Sequence, residues 1–136
     1  MVVNKQSYYR ISIKGIVIDD MGRILLSRED NGKWEMLGGG LDHGEDPRAC
    51  LVREIGEEAG LKVTSISTSP KYFITCKREG ASTYIANVIY EITLEDLHFI
   101  PSDECQELRF FSLDEMKTVD LFENVKILLK TLEQNT

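Results

Sequence analysis

No hydrophobic stretch in the sequence approaches the ~18 residues of a membrane-spanning helix, because polar or charged residues interrupt each one. The opening residues, MVVNKQSYYR, contain neither an apolar h-region nor a small-residue cleavage site, so no secretory signal is expected. Cysteine is scarce. Cys50, Cys76 and Cys105 are odd in number, widely separated and free of any C-x-x-C spacing, which argues against a disulfide framework or a cysteine zinc site. A reducing, cytoplasmic location is the expectation. Positive charge is also in deficit, with 16 Lys and Arg against 23 Asp and Glu, a net charge of −7. That balance disfavours a nucleic-acid partner or an anionic membrane surface. A small anionic substrate stays possible if a cation neutralises the acids locally. Repeats, low-complexity tracts and linkers are absent as well.

What is present is a chain of 136 residues, 42% hydrophobic and 29% charged, consistent with one domain over residues 1–136. YRISIKGIVIDD and RILLSRE flank the turn DDMG and suggest two strands joined by a hairpin. KWEML reads as a short strand ending at Gly38, STYIANVIYEITL as a longer one, and LRFFS as another. A helix is expected from Asp46-Pro47, with Asp46 as cap and Pro47 in the first turn, to a stop at Gly60. A second helix, about residues 121 to 132, carries Leu121, Val125, Leu128, Leu129 and Leu132 at core spacing. Strands interleaved with helices predict an α/β fold with a mixed sheet covered by helices.

The first helix has an odd charge pattern. At about 100° per residue, Leu51, Val52, Ile55 and Ala59 share a face expected to enter the core. Glu54, Glu57 and Glu58 gather on another face, where like charges cost a few tenths of a kcal/mol. Gly56 in the helix interior costs about 1 kcal/mol more relative to alanine. A helix selected for stability alone would contain neither feature. Mg²⁺ or Mn²⁺, which prefer carboxylate oxygens, water and phosphate, would relieve that repulsion. The glycines just upstream suit a backbone that comes close to a ligand, and Arg53 is placed to orient a glutamate.

Gly39, Glu45 and the run Arg53-Glu54-Ile55-Gly56-Glu57-Glu58-Ala59-Gly60-Leu61 match the pattern G-x5-E-x7-R-E-U-x-E-E-x-G-U throughout, where U is bulky and aliphatic. The chain thus resembles the Nudix hydrolases, and GKWEMLGGGLDHGE resembles the strand and glycine loop that precede their motif. Leu37 stands where many members have proline, and Phe110 where relatives often have tryptophan. The resemblance implies an α/β/α sandwich around a mixed β-sheet and hydrolysis of a nucleoside diphosphate linked to another group, with Mg²⁺ or Mn²⁺ as cofactor. It implies Glu54, Glu57 and Glu58 as metal ligands, with the Gly38 carbonyl as a further one and Arg53 orienting a glutamate. Gly39, Glu45 and Gly60 would be supporting positions. The general base comes either from the motif or from a later loop, where Glu104 is the first candidate, also as a metal ligand, and Glu107 the second.

Arg28 could touch a phosphate and Trp34 could stack on a base, although a surface arginine and a core anchor fit those residues as well. Tyr72 and Phe73 could line a base pocket. His43 and His98 have no partner at ligand spacing and are expected at the surface, while Cys50 faces the carboxylate side of its helix. The later marks of the ADP-ribose and dinucleotide-polyphosphate subfamilies are missing from Cys76, Lys77, Arg78 and Glu79. The expected substrate is a small nucleotide, with a nucleoside triphosphate favoured as in the MutT type. A nucleotide sugar or ADP-ribose is the alternative. A non-catalytic nucleotide-binding module is the rival of another class, and homodimerisation is common in the family.

Overall fold

Strand β1 (Tyr9–Ile16) organises the fold. It alternates strictly, so Ile11 and Ile13 face one side of the sheet and Ser12, Lys14 and Ile16 the other. The protein is described by a computed structural model that covers residues 6–78 and 80–135. β1 pairs in parallel with β7 (Tyr84–Leu94) and antiparallel with β4 (Leu37–Gly40). β5 (Val63–Ile66) and β6 (Tyr72–Lys77) both pair with β7, which completes a mixed five-stranded sheet. A second, antiparallel sheet joins β3 (Trp34–Glu35), β2 (Ile24–Arg28) and β8 (Glu107–Phe111).

The strands flanking DDMG do not pair as the expected hairpin. The turn forms, since the Asp19 carboxylate accepts from the Met21 and Arg23 N–H groups at 3.0 and 2.8 Å. Only the single bridge Ile18–Ile24 continues it, and β1 and β2 then enter different sheets. β2 has both faces to bury: Ile24 and Leu26 enter one core, Leu25 the other. KWEML is likewise two strands. The chain passes between the sheets at Met36, and β4 runs on through the glycines to Gly40 instead of ending at Gly38.

Helix α1 (Pro47–Ala59) has the expected ends. Asp46 accepts from the Arg48 N–H at 2.8 Å, and Gly60 adopts φ 65°, the left-handed conformation that stops a helix. Leu51, Ile55 and Ala59 pack with Ile13, Tyr90 and Ile92 on one side of the main sheet. Val52 does not join them: it is 47% exposed, and Cys50 is buried in its place against the β4 carbonyls. On the opposite side lie α2 (Leu113–Met116), capped by Ser112 and Glu115, and α3 (Glu123–Gln134). α3 buries Val125, Leu128 and Leu129 against Ile16, Ile74 and Ile89. It starts two residues later than its apolar stripe, because Leu121 bridges Trp34 and Phe122 is the cap residue. The result is a mixed sheet with helices on both faces, as expected. α3 covers only part of its face, however, and Arg10, Ser12 and Lys14 of β1 line an open cavity beyond it.

Candidate active site

Each of the three glycines of β4 makes room for something a side chain would strike. Gly38 has φ +117°, and a Cβ there would run into the backbone of Ile13 and Lys14. A Cβ on Gly39 would meet the Glu54 carboxylate, and one on Gly40 the Arg10 guanidinium. The strand is therefore bare backbone between α1 on one side and the cavity on the other. The cavity has a volume of about 540 Å³, and Gly38, Gly39 and Gly40 form part of its wall.

Arg53 binds most of the motif's acids. Its Nε and Nη2 donate to the two oxygens of Glu45 at 2.7 and 2.9 Å, and its Nη1 donates to Glu54 at 3.0 Å and Glu57 at 3.2 Å. Nη2 also reaches the Gly40 carbonyl at 3.3 Å. The hydrogen bonds from Arg53 hold the Glu45 carboxyl at about 2, well below the usual range. Arg53 itself is raised, chiefly by the same pair, and stays fully charged.

Glu58 points elsewhere. Its carboxylate accepts from the Gly38 N–H at 2.7 Å, and the residue is only 6% exposed, unlike Glu57. Burial pushes its carboxyl up to about 8 against the opposing pull of Lys14 and the Gly38 N–H, while Glu104 and Glu54 add to the rise. The Gly38 carbonyl meanwhile accepts from the Lys14 ammonium at 3.1 Å. Lys14 is 6% exposed and lies 3.8 Å from Glu35, which also accepts from Asn124 Nδ2 at 2.9 Å. Asn124 donates in turn to Asn87 at 3.1 Å. This buried chain links α3 and β7 to Gly38, and all of its members line the cavity.

Glu104 sits in the turn closed by Ser102 and Cys105 and lines the cavity as well. The loop after β2 is tied to it by the Asp30 N–H to Asp103 carbonyl bond of 2.9 Å, and this loop places Glu29 on the same wall. Burial raises the Glu29 carboxyl to about 7, with Glu35 and Glu104 adding to the effect and Lys14 and Arg78 opposing it.

Some expected site residues lie away from this cavity. Arg28 pairs with Glu107 at 3.4 Å across the β2–β8 ladder and also reaches Gln106, so neither Arg28 nor Glu107 faces it. Trp34 is 4% exposed and packs edge-on against Phe111, as a core anchor rather than a stacking platform. Tyr72 packs against the core, and Phe73 is 67% exposed on the edge strand. Gly60 ends α1 and does not line the cavity; a Cβ on it would meet Ile100. His43 and His98 are exposed. Lys14, Glu29, Glu35, Asn87 and Asn124 were outside the sequence expectations. The alternation of Arg10, Ser12 and Lys14 with isoleucines was the one available signal for part of this wall.

Residues 8–132 match the NUDIX domain family model. The chain belongs to the NUDIX family. A MutT-like protein of Streptomyces ambofaciens is 41% identical over 56 residues, which cover 40% of this chain and 36% of that protein. The nucleoside triphosphatase NudI of an Enterobacter species is 26% identical over 103 residues, covering 71% of this chain and 73% of its own. The crystal structure of a MutT protein from Methanosarcina mazei Go1 superposes with a TM-score of 0.78 at 18% identity, over 97% of this chain and 98% of that one, and shares the fold. The chain thus spans about a third of the length of the first of these relatives and nearly three quarters of the second.

NUDIX hydrolases generally use divalent metal ions. Among the described residues, no three acidic, His or Cys side chains are already gathered around one point. Arg53 holds Glu54 and Glu57, and the Gly38 N–H holds Glu58. The donor chemistry nevertheless fits such an ion. Glu54 and Glu104 each raise the Glu58 carboxyl, so each repels a negative charge there, and a hard cation would relieve the repulsion.

Proposed function

We propose that this chain is a metal-dependent hydrolase of the phosphoanhydride linkage in a nucleoside diphosphate joined to another group. The observation that carries the reading is the bare strand Gly38–Gly40: acidic side chains of α1 touch it from one side, and a polar cavity opens on the other. A phosphate chain lying in the cavity would have only the bare backbone of this strand, and no side chain, between it and the α1 carboxylates. Mg²⁺ or Mn²⁺ held there would neutralise phosphate charge and make a bound water acidic enough to attack.

Glu54, Glu57 and Glu58, together with Glu104, would hold the metal. Arg53 keeps Glu54 and Glu57 in fixed orientations, and Glu45 holds Arg53 in place as a support. The Gly38 carbonyl could join the metal's ligands only if the Lys14 ammonium shifted, since that ammonium now donates to it. Glu104 is the favoured base, because it is on the cavity wall and Glu107 is not. Glu29 on the same wall, with its carboxyl raised to about 7, is a second candidate for moving a proton near neutral pH.

A nucleoside triphosphate is the favoured substrate. One curated relative that this chain matches over most of both sequences is named a nucleoside triphosphatase, and the ~540 Å³ cavity has the size of a single small-ligand site. The test is phosphate and pyrophosphate release from nucleoside triphosphates, ADP-ribose, nucleotide sugars and dinucleotide polyphosphates, with Mg²⁺ or Mn²⁺ and with EDTA. Metal-dependent pyrophosphate release from triphosphates is the expected result. Tight nucleotide binding without cleavage of any compound would replace this reading with a binding module.

A further inference from the structure

An interior strand covered by helices usually presents apolar side chains on both faces. β1 lies between β4 and β7, yet on the α3 side it carries Arg10, Ser12 and Lys14 before reaching Ile16. All three polar residues line the cavity. Stability alone does not account for two cations on such a face.

The cations on the cavity wall differ in what already holds them. Lys14 is engaged by Glu35 and by the carbonyls of Met36 and Gly38. Arg78 lies over the Phe122 ring at 5.4 Å, and Lys33 faces the same ring at 5.9 Å. The Arg10 guanidinium makes no hydrogen bond or ion pair with any described residue. Its guanidinium nevertheless has a defined seat over Gly40, in space that only a glycine leaves open. On the far side of the same glycine, Arg53 donates to the Gly40 carbonyl but is committed to Glu45, Glu54 and Glu57. Arg10 is thus the uncommitted guanidinium beside the bare strand, two residues along β4 from the Gly38 to which Glu58 is bonded.

We infer that Arg10 is a substrate-binding residue, whose guanidinium takes the oxygens of a phosphate group at the Gly40 end of the strand while the metal-binding carboxylates act at the Gly38 end. The inference rests on the hydrolase reading above and adds a contact that the motif does not contain. A planar fork of N–H donors suits two phosphate oxygens, which a lysine at the same place would match less well. The contact also answers a problem of charge. A chain with net charge −7 and several carboxylates on one cavity wall needs fixed cations to admit a polyanion, and Arg10 supplies one without unpairing an acid.

The experiment compares wild type with Arg10→Gln and Arg10→Lys. The probe is inorganic tripolyphosphate with Mg²⁺, titrated by calorimetry, alongside steady-state kinetics on whichever triphosphate the wild type cleaves. Arg10→Gln should bind the polyphosphate about tenfold or more weakly, as loss of a charge-assisted hydrogen bond requires. KM should rise by a similar factor with kcat changed little, and Arg10→Lys should fall in between. Binding of the nucleoside without phosphates should not change, nor should the thermal midpoint. Polyphosphate affinity and KM equal to wild type in Arg10→Gln would overturn the inference alone, because the wild type would still bind and cleave. A wild type that neither binds tripolyphosphate nor cleaves any phosphoanhydride would overturn it together with the reading beneath it.

Discussion

Glu58 and Gly38 are joined across 20 positions of sequence by a 2.7 Å hydrogen bond from the glycine N–H to a carboxylate that is almost wholly buried. The bond connects the motif helix to the strand that walls the cavity. It also means that an ionisable group is held where burial disfavours its charged form, with Glu54 and Glu104 disfavouring it further. Such an arrangement costs stability in the metal-free protein.

Glu58→Gln should separate function from stability. An amide carbonyl can still accept from Gly38, so the fold is expected to persist, with a thermal midpoint at pH 8 equal to or above wild type. Turnover should fall by orders of magnitude through loss of a ligand carboxylate. The two readouts are a melting curve without metal and the metal-dependent rate. Near-normal turnover would remove Glu58 from the ligand set.

Gly39→Ala places a methyl group against the Glu54 carboxylate, the far end of a side chain that Arg53 holds in place. The substitution should cost about 1–3 kcal/mol if the carboxylate cannot move. If it does move, the cost appears instead as weaker Mn²⁺ binding. Denaturant melts paired with a Mn²⁺ titration would reveal which occurs, and an unchanged result in both would mean that the contact is slack.

Glu104→Gln and Glu107→Gln should behave differently, because only Glu104 lines the cavity and Glu107 is engaged with Arg28. Removing a general base typically costs about 10²–10⁴-fold in rate. That loss is expected for Glu104, with less than a few-fold change for Glu107. Equal and small effects would place the base within the motif, or at Glu29.

The Glu29 carboxyl titrates near 7 in the folded protein, against about 4.5 when exposed. Between those values the folded state binds the extra proton, so this group's contribution to stability is complete below about pH 4.5 and is lost as pH rises through 7. Glu29→Gln should flatten the decline in stability across that window. The group is only partly buried, so solvent screening limits the difference to about 1 kcal/mol. Urea melts of both proteins at pH 5 and pH 8 would measure it, and parallel slopes would contradict the raised carboxyl.

The α1 helix was legible from sequence because its signals are local. Asp46, Pro47 and Gly60 each act on backbone within a turn of themselves, and the spacing of the glutamates follows directly from 3.6 residues per turn. The family could be read from the same segment. Strand pairing was not local in this sense. A hairpin signal at DDMG predicts the turn correctly but does not say whether the flanking strands stay together, and here burial of both faces of β2 sends it to another sheet. Val52 and Cys50 exchanged their expected places for a related reason. A helical face is fixed by spacing to within one residue on either side, and packing against the β4 carbonyls selects Cys50.

The sequence by itself determined the motif, the charge cluster, the ends of its helix and the glycine run that precedes it. Tertiary structure decided which carboxylates line the cavity and which stay with the helix. It joined Glu58 to Gly38 across 20 positions, whereas its neighbour Glu57 pairs with Arg53 one turn away on the same helix. It also assembled Arg10, Lys14, Glu29, Glu35, Asn87, Glu104 and Asn124 into one wall. These residues come from several strands, two loops and the start of α3, and no spacing rule relates them. Their proximity follows from sheet order and from how far α3 covers the sheet, and both are set by burial of apolar surface over the whole chain.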